Sequence, residues 1–202
     1  MNKSYWDNIA GIYDTFERIY NKHVYDHTGE LVAEELEPED LVLECACGTG
    51  SITVQAAEKC RRLIATDYSV PMLRQAEKNC AGFDNVSFYH ADMMKLNVPD
   101  ERFDKVIAGN VIHILSEPYE ALAELWRVCR TGGKIILPTY VNGSDPSQLM
   151  VSHIISKLGA NFMREFTVET YKDFVAGAGY ENVSYKLAEG RMTCAIAVIT
   201  KQ

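Results

Sequence analysis

The chain of 202 residues carries 20 Lys and Arg against 28 Asp and Glu, a formal net charge of -8, and 47% hydrophobic residues. That is an ordinary globular composition in a length that suits one domain, able to bury a core without staples. The acidic balance argues against a general nucleic-acid binder, because neutralising phosphates takes clustered Lys and Arg, and the most apolar run, Val106 to Leu115, is too short to span a membrane and is broken by Asn110 and His113.

The first seven residues, Met1 to Asp7, have no apolar core of a signal peptide. Residues 1–40 read as helical and rich in aromatics (Tyr5, Trp6, Tyr13, Phe16, Tyr20, Tyr25), material for a cap. From residue 41 short apolar runs alternate with helical patterns. Leu41 to Cys45 is strand-like, and Ser51 to Cys60 suits a helix with Ile52, Val54, Ala56 and Ala57. Leu63 to Asp67 is the second strand. Ser69 then serves as an N-cap with Pro71 in the first turn, and Met72, Leu73 and Ala76 form one apolar face. Val86 to His90 and Phe103 to Ala108 are the third and fourth strands.

Ser116-Glu117-Pro118 opens a helix whose Ala121, Leu122, Leu125, Val128 and Cys129 recur at helical spacing, and Gly132-Gly133 is expected to stop it. Lys134 to Tyr140 is a fifth strand. An insert at 141–166 follows, then a helix from Thr167 to Ala178 and two strands, Asn182 to Leu187 and Thr193 to Thr200, about a Glu189-Gly190 turn. Such alternation implies an α/β fold with a doubly wound parallel sheet, helices on both faces and a small helical cap. The division along the single domain is an N-terminal cap segment (1–40), a core (41–140), a cap insert (141–166) and a C-terminal helix with hairpin (167–202).

Six cysteines, Cys45, Cys47, Cys60, Cys80, Cys129 and Cys194, sit mostly inside apolar patterns and form no C-x-x-C pair. They read as small buried hydrophobes of a reduced, cytoplasmic protein.

The segment Val42-Leu43-Glu44-Cys45-Ala46-Cys47-Gly48-Thr49-Gly50-Ser51 is the most informative. An apolar strand ends in an acidic residue and a small-residue loop that starts a helix. Small residues there let a ligand approach the backbone, at the strand ends where open parallel sheets bind ligands. Taken alone, the loop fits an empty βα turn equally well. Two further carboxylates tilt the balance. Asp67 ends the second strand about twenty residues on, where an acidic side chain can accept from ribose hydroxyls, and Asp92 follows the third strand.

A Walker loop would need Gly-Lys-Ser/Thr, which is absent, and a dehydrogenase G-x-G-x-x-G meets Thr53 at its last position. Glu44 would also repel a pyrophosphate. It suits a cationic group, so the pattern fits a ligand with adenine, ribose and an amino-acid tail better than a dinucleotide.

At these residues the sequence resembles class I S-adenosylmethionine-dependent methyltransferases, in the small-molecule group that includes quinone-biosynthesis enzymes. Val42 to Gly50 is similar to the first motif, Ala65 to Leu73 to the second and Ala91-Asp92-Met93 to the adenine-side motif. Phe103 to Ile107 resembles the fourth strand, and Ala121 to Ile136 the signature helix, turn and fifth strand. One departure is Ala46 in place of the first glycine, small enough to keep the loop close to a ligand with a negative φ.

The resemblance implies a seven-stranded Rossmann-like sheet whose last hairpin supplies an antiparallel strand. It implies S-adenosyl-L-methionine as cofactor. By position, Asp67 would bind the ribose hydroxyls, Tyr68 and Met72 would pack on the adenine, and Asp92 would accept from its amino group with Met93 on the ring. Ala46 and Gly48 would line the methionine part, with Glu44 near its ammonium. Asn110 would add backbone contacts there, and Tyr13 would close over the cofactor.

Methyl transfer from a sulfonium is an in-line displacement that needs mainly alignment, and a base only when the acceptor holds a proton. His113 is the candidate base, three residues past Asn110, and Tyr140 at the end of the fifth strand is a second candidate. His23 and His27, four apart, lack a third ligand and read as a helical face, and no metal is expected. Cys45 and Cys47 could hold a soft metalloid, but side chains around such a loop diverge. The insert, with Leu149, Met150, Val151, Ile154, Ile155, Leu158, Phe162 and Met163, reads as a lid over an apolar small-molecule acceptor. The expected partner is that acceptor, with no nucleic acid and no membrane; oligomeric state is not legible. The rival readings are a protein that holds the cofactor or its product without turnover, and a nucleotide-dependent oxidoreductase.

Overall fold

The computed structural model describes residues 22–142, 163–190 and 192–202. The expectations for Tyr13, for the rest of the first twenty-one residues and for the insert from Leu149 to Phe162 lie outside these described residues. The described elements run α1 (Lys22–Ala33), β1 (Leu41–Cys45), α2 (Ser51–Ala57), β2 (Arg62–Asp67), α3 (Val70–Asn79), β3 (Val86–His90), β4 (Phe103–Ala108), a 3-10 turn (Ile112–Ile114), α4 (Pro118–Val128), β5 (Cys129–Tyr140), α5 (Val168–Gly177), β6 (Val183–Ala188) and β7 (Cys194–Thr200).

The strands form a seven-stranded sheet in the order β3-β2-β1-β4-β5-β7-β6. β1 pairs in parallel with both β2 and β4, while β7 runs antiparallel between β5 and β6. The chain order therefore reverses at β1 and β4, where a parallel sheet opens a crevice at its carboxyl ends.

Alternating side chains divide the interior. Val42 faces a core with Val24 and Val32 of α1, Ile52 and Ala56 of α2, and Leu73 and Ala76 of α3. Leu43 and Cys45 face the opposite core with Leu122, Leu125 and Val128 of α4 and Tyr171, Phe174 and Val175 of α5. Each fully buried aliphatic side chain contributes about 1.5–3 kcal/mol, and two apolar faces explain the apolar runs Leu41–Leu43, Val106–Ala108 and Ile135–Leu137 within the central strands. The described part of the expected N-terminal cap segment is thus a sheet-packing helix.

Local differences from the sequence reading have physical causes. α2 stops at Ala57 rather than Cys60, because the Asn85 amide donates to the carbonyls of Ala57 and Cys60 at 2.8 and 2.9 Å and satisfies that end of the chain. Gly132-Gly133 do not end α4. The helix ends at Val128, and Cys129 already pairs with Phe103 in β5 before a register shift. A Cβ on Gly133 would lie 2.7 Å from the Asp104 carbonyl, so its glycine serves strand contact. The expected cap at Ser69 holds, its hydroxyl accepting from the Met72 amide, and Thr167 and Thr170 form a capping box at the start of α5.

All six cysteines are free and buried. Cys45 and Cys47 belong to cores on opposite sides of the sheet, so the pair presents no common face to a metalloid. Among the described residues no helix is long and apolar enough to cross a membrane.

Candidate cofactor site

The loop after β1 alternates left-handed positions: φ is 54° at Ala46, 56° at Gly48 and 88° at Gly50. Gly50 is needed twice over, since a Cβ there would also lie 3.2 Å from the Ala76 Cβ and 3.3 Å from the Cys80 Sγ, where α2 begins against α3. Ala46 departs from the expected negative φ. A Cβ in that conformation costs about 1–2 kcal/mol. Ala46→Gly is therefore expected to raise the unfolding free energy by about 1 kcal/mol, read from urea denaturation; equal or lower stability would mean the strain is relieved elsewhere.

The loop is tied across the switch point to β2. The Cys47 amide donates to the Thr66 carbonyl at 3.0 Å. The two Asp67 carboxylate oxygens accept from the Gly48 amide at 2.9 Å and the Ser69 amide at 2.8 Å. Asp67 thus fastens the glycine loop of one βα unit to the helix start of the next. Burial raises its carboxyl pKa, partly offset by these amides and by the neighbouring His90.

Glu44 is 2% exposed, at the back of the crevice. Its Oε2 accepts from the Thr53 hydroxyl at 2.6 Å. Burial pushes its pKa up to about 8, reinforced by Asp67 and opposed by the Thr53 bond. At neutral pH this carboxyl is mostly protonated until a cation arrives. Thr53, the residue that breaks the dinucleotide fingerprint, is therefore the partner of the acid.

These groups line one crevice together with Ala46, Gly48, Tyr68, Met72, Asp92, Met93 and Asn110. Every cofactor position expected from the sequence, Tyr13 apart, is thereby brought to one site. Met72 and Met93 are buried in its wall, while Asp92 is exposed and accepts from the Met94 amide at 2.9 Å. Asn110 takes φ 51° and accepts from the Tyr140 amide at 3.1 Å. Ser51, Ile52, Ser69, Val111 and Ile114 also border the site but carry no chemistry that would single them out in the sequence.

The two expected catalytic side chains do not border it. Residues three apart eclipse in a 3-10 turn, so Val111 and Ile114 share the crevice face and His113 falls off it. His113 is 6% exposed, and burial lowers its imidazole pKa to about 4, well below that of a base poised near neutrality. Tyr140 packs against the α1-side core. His23 and His27 stack edge-on at 5.9 Å, and no group of metal ligands assembles among the described residues.

A family described as "Methyltransferase domain" matches residues 43–137. A demethylmenaquinone methyltransferase of Clavibacter sepedonicus is 35% identical over 96 residues, which is 48% of this chain and 39% of that protein, so the chain spans about two fifths of that relative's length. Among solved structures, a SAM-dependent methyltransferase from Thermotoga maritima superposes with TM-score 0.76 at 19% identity, covering 98% of this chain and 99% of that one. A magnesium protoporphyrin IX methyltransferase from Synechocystis PCC 6803, solved with bound SAH, reaches TM-score 0.70 at 16% identity over 98% of each chain.

Proposed function

We propose that residues 43–137, which match a family described as "Methyltransferase domain", form a class I S-adenosylmethionine-dependent methyltransferase domain, and that this chain transfers a methyl group to a largely apolar small molecule. The observation that carries the reading is the meeting of Glu44, Asp67 and Asp92, from the ends of β1, β2 and β3, around one crevice whose remaining wall is mostly small or apolar. When bound, the cofactor supplies an activated methyl on a sulfonium.

The residues present fit such a group. Asp67 keeps lone pairs beyond its two amide bonds for the ribose hydroxyls. Asp92 faces the adenine amino group, with Tyr68, Met72 and Met93 about the ring. Glu44 would hold the ammonium as a carboxylate, its proton passing to solvent, because a neighbouring cation favours the charged form. The left-handed turn at Ala46 and Gly48 lets the amino-acid tail lie against the backbone. Asn110, held by the Tyr140 amide and bonded from its own amide to the Pro138 carbonyl at 2.7 Å, fixes the floor beside β4.

An apolar acceptor is supported by Ile52, Val111 and Ile114 in the lining of the crevice, and by relatives named for a demethylated menaquinone. His113, turned out of the crevice, has no part in this mechanism.

Calorimetry on the intact chain is the test. S-adenosylmethionine and S-adenosylhomocysteine are expected to bind at least tenfold more tightly than NAD. Equal or reversed preference would overturn the cofactor assignment. Labelled methyl donor with a metabolite extract, followed by mass spectrometry, should then yield labelled small molecules of low polarity. Binding without any labelled product would favour a protein that holds the cofactor without turnover.

A further inference from the structure

His90, the last residue of β3, is exposed and does not border the crevice, yet it is built into the crevice wall through a neighbour. It stands in register with Asp67 across the parallel β2–β3 pair, and the next amide, that of Ala91, donates to the Asp67 carbonyl at 3.1 Å. Its ring stacks on Tyr68 with centroids 5.7 Å apart and planes 27° from parallel. Its Nε2 lies 3.0 Å from the Tyr68 carbonyl oxygen. A carbonyl only accepts, so Nε2 carries the proton, and one imidazole grips both the backbone and the ring of the same residue.

Tyr68 needs that grip. It is 38% exposed and borders the crevice between Asp67 and the Ser69 cap of α3. A partly exposed phenol ring keeps rotamer freedom that a stacked ligand must restrict, at a cost in affinity. A second ring on one face removes part of that cost in advance. We infer that His90 is a positioning residue for the nucleoside end of the site, holding Tyr68 as a preformed platform on which the base stacks as a third ring. The inference rests on the proposed cofactor, since it takes adenine as the group that meets Tyr68.

The test is a double-mutant cycle on the full chain, with S-adenosylhomocysteine binding read by calorimetry and folding by thermal melting. His90→Ala is expected to weaken binding about fivefold and to lower the melting temperature by no more than about a few degrees, because the side chain is exposed. His90→Phe keeps the ring and should recover most of the loss. In a Tyr68→Ala background the same His90→Ala change should cost clearly less, because the ring it holds is gone while its bond to the residue 68 carbonyl and its proximity to Asp67 remain. An equal loss in both backgrounds would overturn the inference, as would full affinity in a folded His90→Ala protein. If the wild-type chain fails to bind S-adenosylhomocysteine at all, the cofactor reading falls and this inference with it. If the wild type binds and His90→Ala binds as well, only the role of His90 falls.

Discussion

Asp67→Ala should reduce affinity for S-adenosylhomocysteine by about a hundredfold or more and lower the stability of the empty protein as well. Both effects follow from one carboxylate with two duties. Towards the ligand it offers acceptors for a pair of hydroxyls, and hydrogen bonds to a charged group contribute about 1.5–3 kcal/mol each. Towards the protein it receives the Gly48 and Ser69 amides, and removing it leaves two donors without their acceptor at about 1–3 kcal/mol apiece.

Asp67→Asn separates the duties. It retains one carbonyl acceptor for one amide while turning an NH2 group towards the other, so part of the stability should return while affinity remains low. Calorimetry and urea unfolding on the three proteins decide the matter. Unchanged affinity in Asp67→Ala would show that the carboxylate serves the loops alone.

Glu44 should make both stability and binding depend on pH, in opposite directions. Its folded pKa of about 8 lies above the ordinary 4.5. Between those values the native state holds a proton that the unfolded chain has released. Stability from this group therefore falls as pH rises, by about 1.4 kcal/mol per unit. Below pH 4.5 both states are protonated and above 8 both are ionised, so the slope is confined to the window between. Glu44→Gln removes it: from pH 5 to pH 9 the wild type should lose about 4 kcal/mol more than the variant.

Ligand binding runs the other way. An ammonium beside Glu44 prefers the carboxylate, so affinity for S-adenosylhomocysteine should climb from pH 6 to 8 by up to about tenfold per unit in the wild type and stay flat in Glu44→Gln. Parallel slopes in the two proteins would locate the titration elsewhere.

Much of this architecture can be read from local pattern because local chemistry decides it. Apolar runs at Leu41–Cys45 and Phe103–Ala108 mark strands buried on both faces, and Ser69 and Thr167 cap helices through bonds that reach only three residues. The positions that line the crevice are legible because they fall at strand ends, which the parallel topology gathers.

What escaped depends on distant partners or on turn geometry. Asn85 ends α2 from another loop, and Thr53 meets Glu44 only after a helical turn folds it back. Counting three residues beyond Asn110 puts His113 near an acceptor, but a turn with three residues per revolution carries it to the far side of Val111 and Ile114. The positive φ of Ala46 left no mark, because alanine is a residue from which a left-handed turn is not expected. His90 has no partner in its own segment; register with β2 provides one.

The direct passage from α4 into β5 has a practical corollary for engineering. Val128 ends the helix and Cys129 is already hydrogen-bonded in the sheet, with no connecting residue to absorb added length. Inserted tags, loops or permuted termini at that junction would shift the ladder opposite Phe103 and the packing of Leu125 and Val128 together. At the opposite pole of β4, Asn110 leads into the 3-10 turn that borders the crevice, and a change of length there would alter what the crevice admits rather than whether the scaffold forms.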